Sequence, residues 1–158
     1  MKVRVGIGYD AHPLMPNRKL VLGGVEIPFN KGLSGYSDAD VLTHAVMDAL
    51  LGAAGLKDIG SHFPPGEAKY KDISSLTLLA EVKSLLKKRK FKISNIDVTI
   101  IAQEPKVAPF VDEIRHRLSQ ILEMNLDQIA VKATTTNGLG FVGRQEGMAA
   151  LAVAMIEA

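Results

Sequence analysis

Asp10 and His12 lie two residues apart in Gly8-Tyr9-Asp10-Ala11-His12. Side chains alternate along an extended segment, so the pair projects to one side of it. A second imidazole, His44, follows Ser37-Asp38-Ala39-Asp40-Val41-Leu42-Thr43 and falls in the first turns of a predicted helix. One carboxylate and two imidazoles make the three-ligand set of a catalytic zinc, which keeps a fourth position open. The spacing alone does not separate this from a loop aspartate beside a surface histidine. The chain has no cysteine, so any metal must sit on histidine and carboxylates, and disulfides are excluded.

A second stretch, Thr134-Thr135-Thr136-Asn137-Gly138-Leu139-Gly140, closes a predicted strand. Its hydroxyls and backbone N–H groups suit an anion, although a threonine run is also ordinary strand composition. Lys106 and Arg144 supply cations, and a guanidinium can hold a phosphate in a fork. Metal, hydroxyls and cations around one spot suit phosphoryl transfer, where positioning and charge stabilisation carry most of the catalysis.

The elements that position these groups follow from pattern. Residues 2–9 alternate Val3, Val5 and Ile7 with Lys2 and Arg4 and predict a half-buried strand. Asp10 and His12 are expected at its end, before Pro13 and Pro16 break regular structure. Gly23-Gly24 between two apolar triplets predicts a hairpin, and residues 32–36 a loop. Ser37 is the expected N-cap of a helix reaching Ala54, with Asp38 and Asp40 favoured at its positive start. Asp48, one turn beyond His44, could bond the outer nitrogen of a ligating ring. The Gly- and Pro-rich stretch 56–71, with His62 and Phe63, is long enough to be functional. A helix from Ser74 ends in Lys87-Lys88-Arg89-Lys90, read as cations on a helix C-terminus in preference to a nucleic-acid patch. A strand over 96–101, a helix over 108–124 with His116 on its polar side, and a strand over 129–135 follow. Residues 147–158 have helical composition but also fit a closing strand.

With 158 residues, 47% of them hydrophobic, the chain can bury one core and is not disordered. A single α+β domain is expected. A net charge of +2 and the lack of tryptophan argue against nucleic acid. No membrane-length apolar run and no leader are visible, which suggests the cytoplasm.

Taken together, the motifs resemble the 2-C-methyl-D-erythritol 2,4-cyclodiphosphate synthases of the non-mevalonate isoprenoid pathway. The carriers are Gly8 to His12, Gly23 to Pro28, Ser37 to Val41 with His44, Asp48 to Ala54, Asp58-Ile59-Gly60, Asp97 to Gln103, and Val131 to Thr136 running on to Gly140-Phe141-Val142-Gly143-Arg144. The resemblance implies a mixed sheet with helices on one face, and a homotrimer with active sites between subunits. The substrate would be 4-diphosphocytidyl-2-C-methyl-D-erythritol 2-phosphate, whose 2-phosphate attacks the β-phosphate and releases CMP. Zinc, or another divalent transition metal, would sit on Asp10, His12 and His44; magnesium or manganese would accompany the diphosphate. Thr135 would stabilise the transition state, and Ser37 and the aligned Tyr36 would face the phosphates. Asp58 and Gly60, near Phe63, would meet the erythritol part. Ala102 to Ala108, with Lys106, Thr134, Thr135 and Thr136, would hold the cytidine diphosphate. Phe141 and Arg144 would lie near the trimer axis, where the family has a cavity suited to an isoprenoid diphosphate. On the same ground residues 147–157 are assigned to a strand.

Three positions depart from the family pattern. Tyr36 stands in place of a histidine and brings no positive charge. Pro65 replaces an aspartate that would contact the diol. Asn137 replaces a magnesium-binding glutamate, offering an amide oxygen but no charge. They motivate a second reading, a non-catalytic trimeric isoprenoid-phosphate binder; a third is a generic zinc-dependent phosphohydrolase, in which water attacks instead of the 2-phosphate.

Overall fold

The computed structural model describes residues 2–158. The elements in chain order are β1 (Val3–Pro16), β2 (Leu20–Leu22), β3 (Val25–Ile27), β4 (Lys31–Leu33), α1 (Val41–Ala53), α2 (Ile59–His62), α3 (Ser75–Lys88), β5 (Lys92–Ile101), α4 (Val111–Leu122), β6 (Ile129–Thr134), α5 (Gly140–Gly143) and β7 (Gly147–Glu157). Five strands form one mixed sheet in the order β4-β1-β7-β5-β6. Only the β5–β6 pair is parallel. The assignment of residues 147–157 to a strand holds: β7 is the central strand, flanked by β1 and β5.

The expected end of β1 is corrected. The strand runs through both prolines, so Asp10 and His12 lie inside it. Pro13 closes the ladder with β7, opposite Gly147, and Pro16 closes the ladder with β4, opposite Lys31. At a ladder's end a missing N–H is tolerated. Part of the expected 32–36 loop is β4, drawn into the sheet by its pairing with β1.

The alternation of β1 is real, but its apolar members face away from the helices. Val5, Ile7 and Tyr9 are 65%, 66% and 55% exposed. The helix-facing positions are Gly6 and Gly8, paired with Ala154 and Ala152 of β7. Helix α1 lies on these small residues with Ala45, Ala49 and Ala53, all buried. A Cβ on Gly8 would come within 1.9 Å of the Ala45 carbonyl oxygen, and one on Gly6 within 2.0 Å of that of Ala49. Backbone meets backbone there, so no side chain can move aside. The remaining core is aliphatic, with Leu42, Val46, Leu50, Leu79, Val82, Leu86, Val98 and Ile100 all buried between sheet and helices.

The start of α1 also differs from expectation. Its N-cap is Asp40, not Ser37. The Asp40 carboxylate is fully buried and accepts from Thr43 N (3.0 Å) and Thr43 Oγ1 (2.8 Å). It also accepts from Gly23 N (2.9 Å) and Gly24 N (2.8 Å), the turn of the β2–β3 hairpin, where both glycines have positive φ. A buried carboxylate needs this many donors to offset lost hydration, which Ser37 could not use. Helix α1 closes before Gly55, as expected.

Gly8→Ala is expected to cost about 3 kcal/mol or more of folding free energy, the upper range for overpacking. Urea denaturation followed by circular dichroism checks this; an unchanged midpoint would contradict the close approach.

Candidate active site

Even-numbered residues of β1 face α1, so Asp10 and His12 continue the row of Gly6 and Gly8. His44, on the first turns of α1, meets them from the helix side and is itself buried. Asp10 Oδ2 lies 2.8 Å from His12 Nε2 and 2.9 Å from His44 Nδ1. The two ring nitrogens are 3.3 Å apart. The other nitrogen of His12, Nδ1, is 3.1 Å from the Ser34 carbonyl, which can only accept. In the neutral ring Nδ1 therefore carries the hydrogen and Nε2 the lone pair; only the protonated ring donates from Nε2 to Asp10 Oδ2.

Burial raises the Asp10 pKa, but hydrogen bonds and charge from the two imidazoles outweigh it, and the net is about 2. Burial also works against a charged His44, yet the adjacent Asp10 carboxylate raises its pKa overall. A proton and a metal therefore compete for the lone pairs of this cluster. One anionic oxygen and two ring nitrogens converging from two rigid elements fit a divalent metal.

Beside the cluster is a cavity of about 270 Å3, lined by Asp10, His12, His44, Tyr36, Ser37, Ile59, Gly60, Phe63 and Pro65, with Tyr70 and Leu78. Tyr36 does not reach freely into it. Its hydroxyl donates to the Glu67 carbonyl (2.9 Å) and its own carbonyl accepts from Asp72 N (3.0 Å). The phenol thus ties down the 63–71 segment. Asp58 caps α2, accepting from Ser61 N and Oγ at 2.9 Å each. Those bonds lower its pKa, with the Ser61 hydroxyl first among the causes.

The expected Asp48–His44 bond is absent; Asp48 accepts instead from Ile59 N (2.8 Å), which anchors α2. The outer His44 nitrogen, Nε2, lies 2.9 Å from Ser75 Oγ and 3.2 Å from Ser37 Oγ. Asp38 is not the N-cap of α1; it accepts from Ser75 N and Oγ at the head of α3 and from the N–H of the N-cap Asp40. His62 is 2.7 Å from the Leu56 carbonyl through its ring.

The second group forms elsewhere. Ala102, Lys106, Thr134 and Thr135 line a cavity of about 230 Å3 at the ends of β5 and β6. Thr136 Oγ1 donates to the Leu139 carbonyl (2.7 Å), and Asn137 N donates to Thr135 Oγ1 (3.2 Å). Gln103 Oε1 accepts from Gly138 N (3.1 Å) and holds this turn against β5. Across the sheet Thr134 pairs with Ile101, Ile101 with Ala149, and Ala149 with Ala11. The two groups therefore share a row three strands apart, roughly 14 Å. The expectation that metal ligands and threonines surround one spot does not hold within one chain. Phe141 lines a third cleft with Ala11, His12, Pro13, Glu146 and Gly147. Arg144 Nε donates to Glu146 Oε1 at 2.9 Å, which occupies its fork.

Residues 3–157 match the YgbB family model. The chain belongs to the YgbB family. Similar YgbB-type proteins include one from Clostridium acetobutylicum, 56% identical over 98% of this chain and 99% of that protein. Another, from Dehalococcoides mccartyi, is 57% identical, with the same coverage. Both are named 2-C-methyl-D-erythritol 2,4-cyclodiphosphate synthase. Among solved structures, the bifunctional IspDF of Campylobacter jejuni superposes with TM-score 0.95 at 41% identity over 98% of this chain. This chain spans 42% of that larger protein. The Plasmodium falciparum IspF, in complex with CDP, superposes with TM-score 0.86 at 32% identity, over 98% of this chain and 95% of that one. The α+β fold expected from the motifs is thus the YgbB fold.

Reading the sequence missed Ser75, Gln103, Ile59 and Tyr70. Ser75 carries no local sign of its contacts, which lie 31 and 37 residues away along the chain; Ile59 and Gln103 stand inside Asp58-Ile59-Gly60 and Asp97 to Gln103, motifs that assign them no contact.

His44→Ala is expected to abolish bound metal, from about one ion per chain, while leaving the fold intact. Metal analysis of the purified protein beside its circular dichroism spectrum checks this; retained metal would remove His44 from the ligand set.

Proposed function

We infer that the chain, over residues 1–158 as one catalytic domain, is a phosphorus–oxygen lyase. It converts 4-diphosphocytidyl-2-C-methyl-D-erythritol 2-phosphate to the 2,4-cyclodiphosphate and CMP, in the cytoplasm. The observation that carries the reading is the convergence of Asp10 Oδ2, His12 Nε2 and His44 Nδ1 beside an open cavity. Asp10, His12 and His44 would hold zinc, which supplies Lewis-acid polarisation of the β-phosphate. Asn137 would face the magnesium or manganese that accompanies the diphosphate.

The chain's own residues supply the rest. Ser37 and Gly60, at the cavity wall, bind the phosphate and erythritol parts, with Phe63 covering them and Asp58 fixing the head of α2. Ala102 to Ala108 shape the nucleotide pocket, and the Lys106 ammonium offsets phosphate charge. The Thr135 hydroxyl donates to the phosphoryl oxygens as the 2-phosphate adds and the bond to CMP breaks. Tyr36 acts through the loop it tethers more than through direct contact. No proton need be removed from a nucleophilic phosphate, so the site has no use for a general base.

One phosphorus cannot touch both groups across roughly 14 Å of one sheet. A neighbouring copy would bring its threonine turn to this chain's metal cluster. The exposed apolar face of β1 and β7, with Val3, Val5, Ile7, Tyr9, Leu151 and Val153, supports a homotrimer built on that face. Phe141 and Arg144 would then approach the axis, where an isoprenoid diphosphate could bind. Among the described residues no helix is long and apolar enough to cross a membrane.

Phosphorus NMR with the diphosphocytidyl substrate, zinc and magnesium tests the activity. Equal release of cyclic diphosphate and CMP is expected; linear hydrolysis products would favour a phosphohydrolase, and tight binding without turnover an isoprenoid-phosphate binder. Ile7→Lys is expected to give monomers by light scattering, with turnover lost. Full activity as a monomer would end the shared-site reading.

A further inference from the structure

Ser75 is fully buried in the first turn of α3, and its hydroxyl stands between a histidine and a carboxylate. On one side Ser75 Oγ is 2.5 Å from Asp38 Oδ1; on the other it is 2.9 Å from His44 Nε2. A hydroxyl has one hydrogen to give, and an ionised carboxylate can only accept. The Ser75 hydrogen therefore goes to Asp38, and the oxygen accepts from His44 Nε2–H. With Nε2 protonated, the neutral ring has its lone pair on Nδ1, the atom that faces Asp10 Oδ2 at 2.9 Å and His12 Nε2 at 3.3 Å. Asp38 is held in turn: Oδ2 accepts from Ser75 N (2.9 Å), Oδ1 also from Asp40 N (3.1 Å), and its own N–H donates to the Ile73 carbonyl (3.2 Å).

We propose that Ser75 and Asp38 are positioning residues for His44, selecting the tautomer that turns its Nδ1 lone pair toward the metal centre; this rests on the metal reading above. Three elements meet in this relay: His44 on α1, Ser75 on α3 and Asp38 in the loop before α1. The carboxylate at its far end strengthens the serine as an acceptor and so raises the electron density of the ring, as outer partners of metal-bound histidines do. The other hydroxyl near Nε2, Ser37 Oγ, stands farther off at 3.2 Å and accepts from Ala39 N, with no carboxylate behind it.

Cobalt titration of the metal-free protein, read from the visible bands of bound Co2+, separates positioning from folding. Ser75→Ala keeps the backbone N–H that Asp38 accepts, and so keeps the start of α3, while removing the hydroxyl. It is expected to weaken Co2+ binding by about 10- to 100-fold, the usual effect of losing an outer partner. Asp38→Asn, which keeps volume and one acceptor oxygen, shifts affinity in the same direction and decides the matter if Ser75→Ala does not fold. In the zinc-loaded protein the His44 Nε2–H proton resonance is expected to persist, and to be lost to solvent exchange in Ser75→Ala, an effect that a purely structural role would not produce. Unchanged Co2+ affinity in folded variants would overturn the relay alone. A wild-type protein showing no cobalt band would overturn the metal reading beneath it.

Discussion

The site depends on how closely one helix approaches two strands. Gly6 and Gly8 of β1, opposite Ala154 and Ala152 of β7, let the backbone of α1 come into contact with the sheet. That contact sets the height at which His44 meets Asp10 and His12. A larger residue in the glycine row would lift the helix, and ligands that now lie 2.8 to 2.9 Å from a common oxygen would separate. Rigid elements hold such constellations better than loops do, and here two of the three ligands share a strand.

A second layer of contacts holds the elements that carry the ligands. Asp40 joins the head of α1 to the β2–β3 hairpin, Asp48 joins its middle to α2, and Asp38 ties the preceding loop to α3. Each uses a carboxylate near α1 to satisfy backbone N–H groups of another element. The result is a helix anchored along its length by charge-assisted bonds as well as by aliphatic packing. The cavity beside Asp10, His12 and His44 inherits its walls from these anchors: Ile59 and Gly60 from α2, Leu78 from α3.

Much of this was legible in the chain. The order of the longer elements and the threonine turn are legible in pattern, while the ligand triad rests on motif context more than on spacing, β4, α2 and α5 are not marked, and the closing strand follows only from resemblance, against its alanine- and methionine-rich composition. What local pattern could not show was orientation. The alternation of Val3, Val5 and Ile7 marks two faces but does not say which one the helices cover. Glycine contributes nothing to a hydropathy pattern, yet Gly6 and Gly8 decided the question sterically. Ser75 is 31 residues from His44 and Asp48 only four, so proximity along a helix suggested the wrong partner. Likewise Ser37 had the composition of a cap, but only the distant Gly23 and Gly24 N–H groups reveal why Asp40 takes that place.

The apolar face opposite the helices has a kinetic side. It is made by pairing Val3 with Glu157 and onward to Pro13 with Gly147, residues from opposite ends of the described chain. Contacts of such sequence separation carry a larger loop-closure cost than local helices and the hairpin do. A partly folded chain that has not yet docked β7 shows only half of the stripe, and so has little to offer another copy. The surface that would recruit neighbours is thus displayed chiefly by chains whose metal-binding row is already in register. Were copies to dock on it, folded-state stability would become a function of protein concentration.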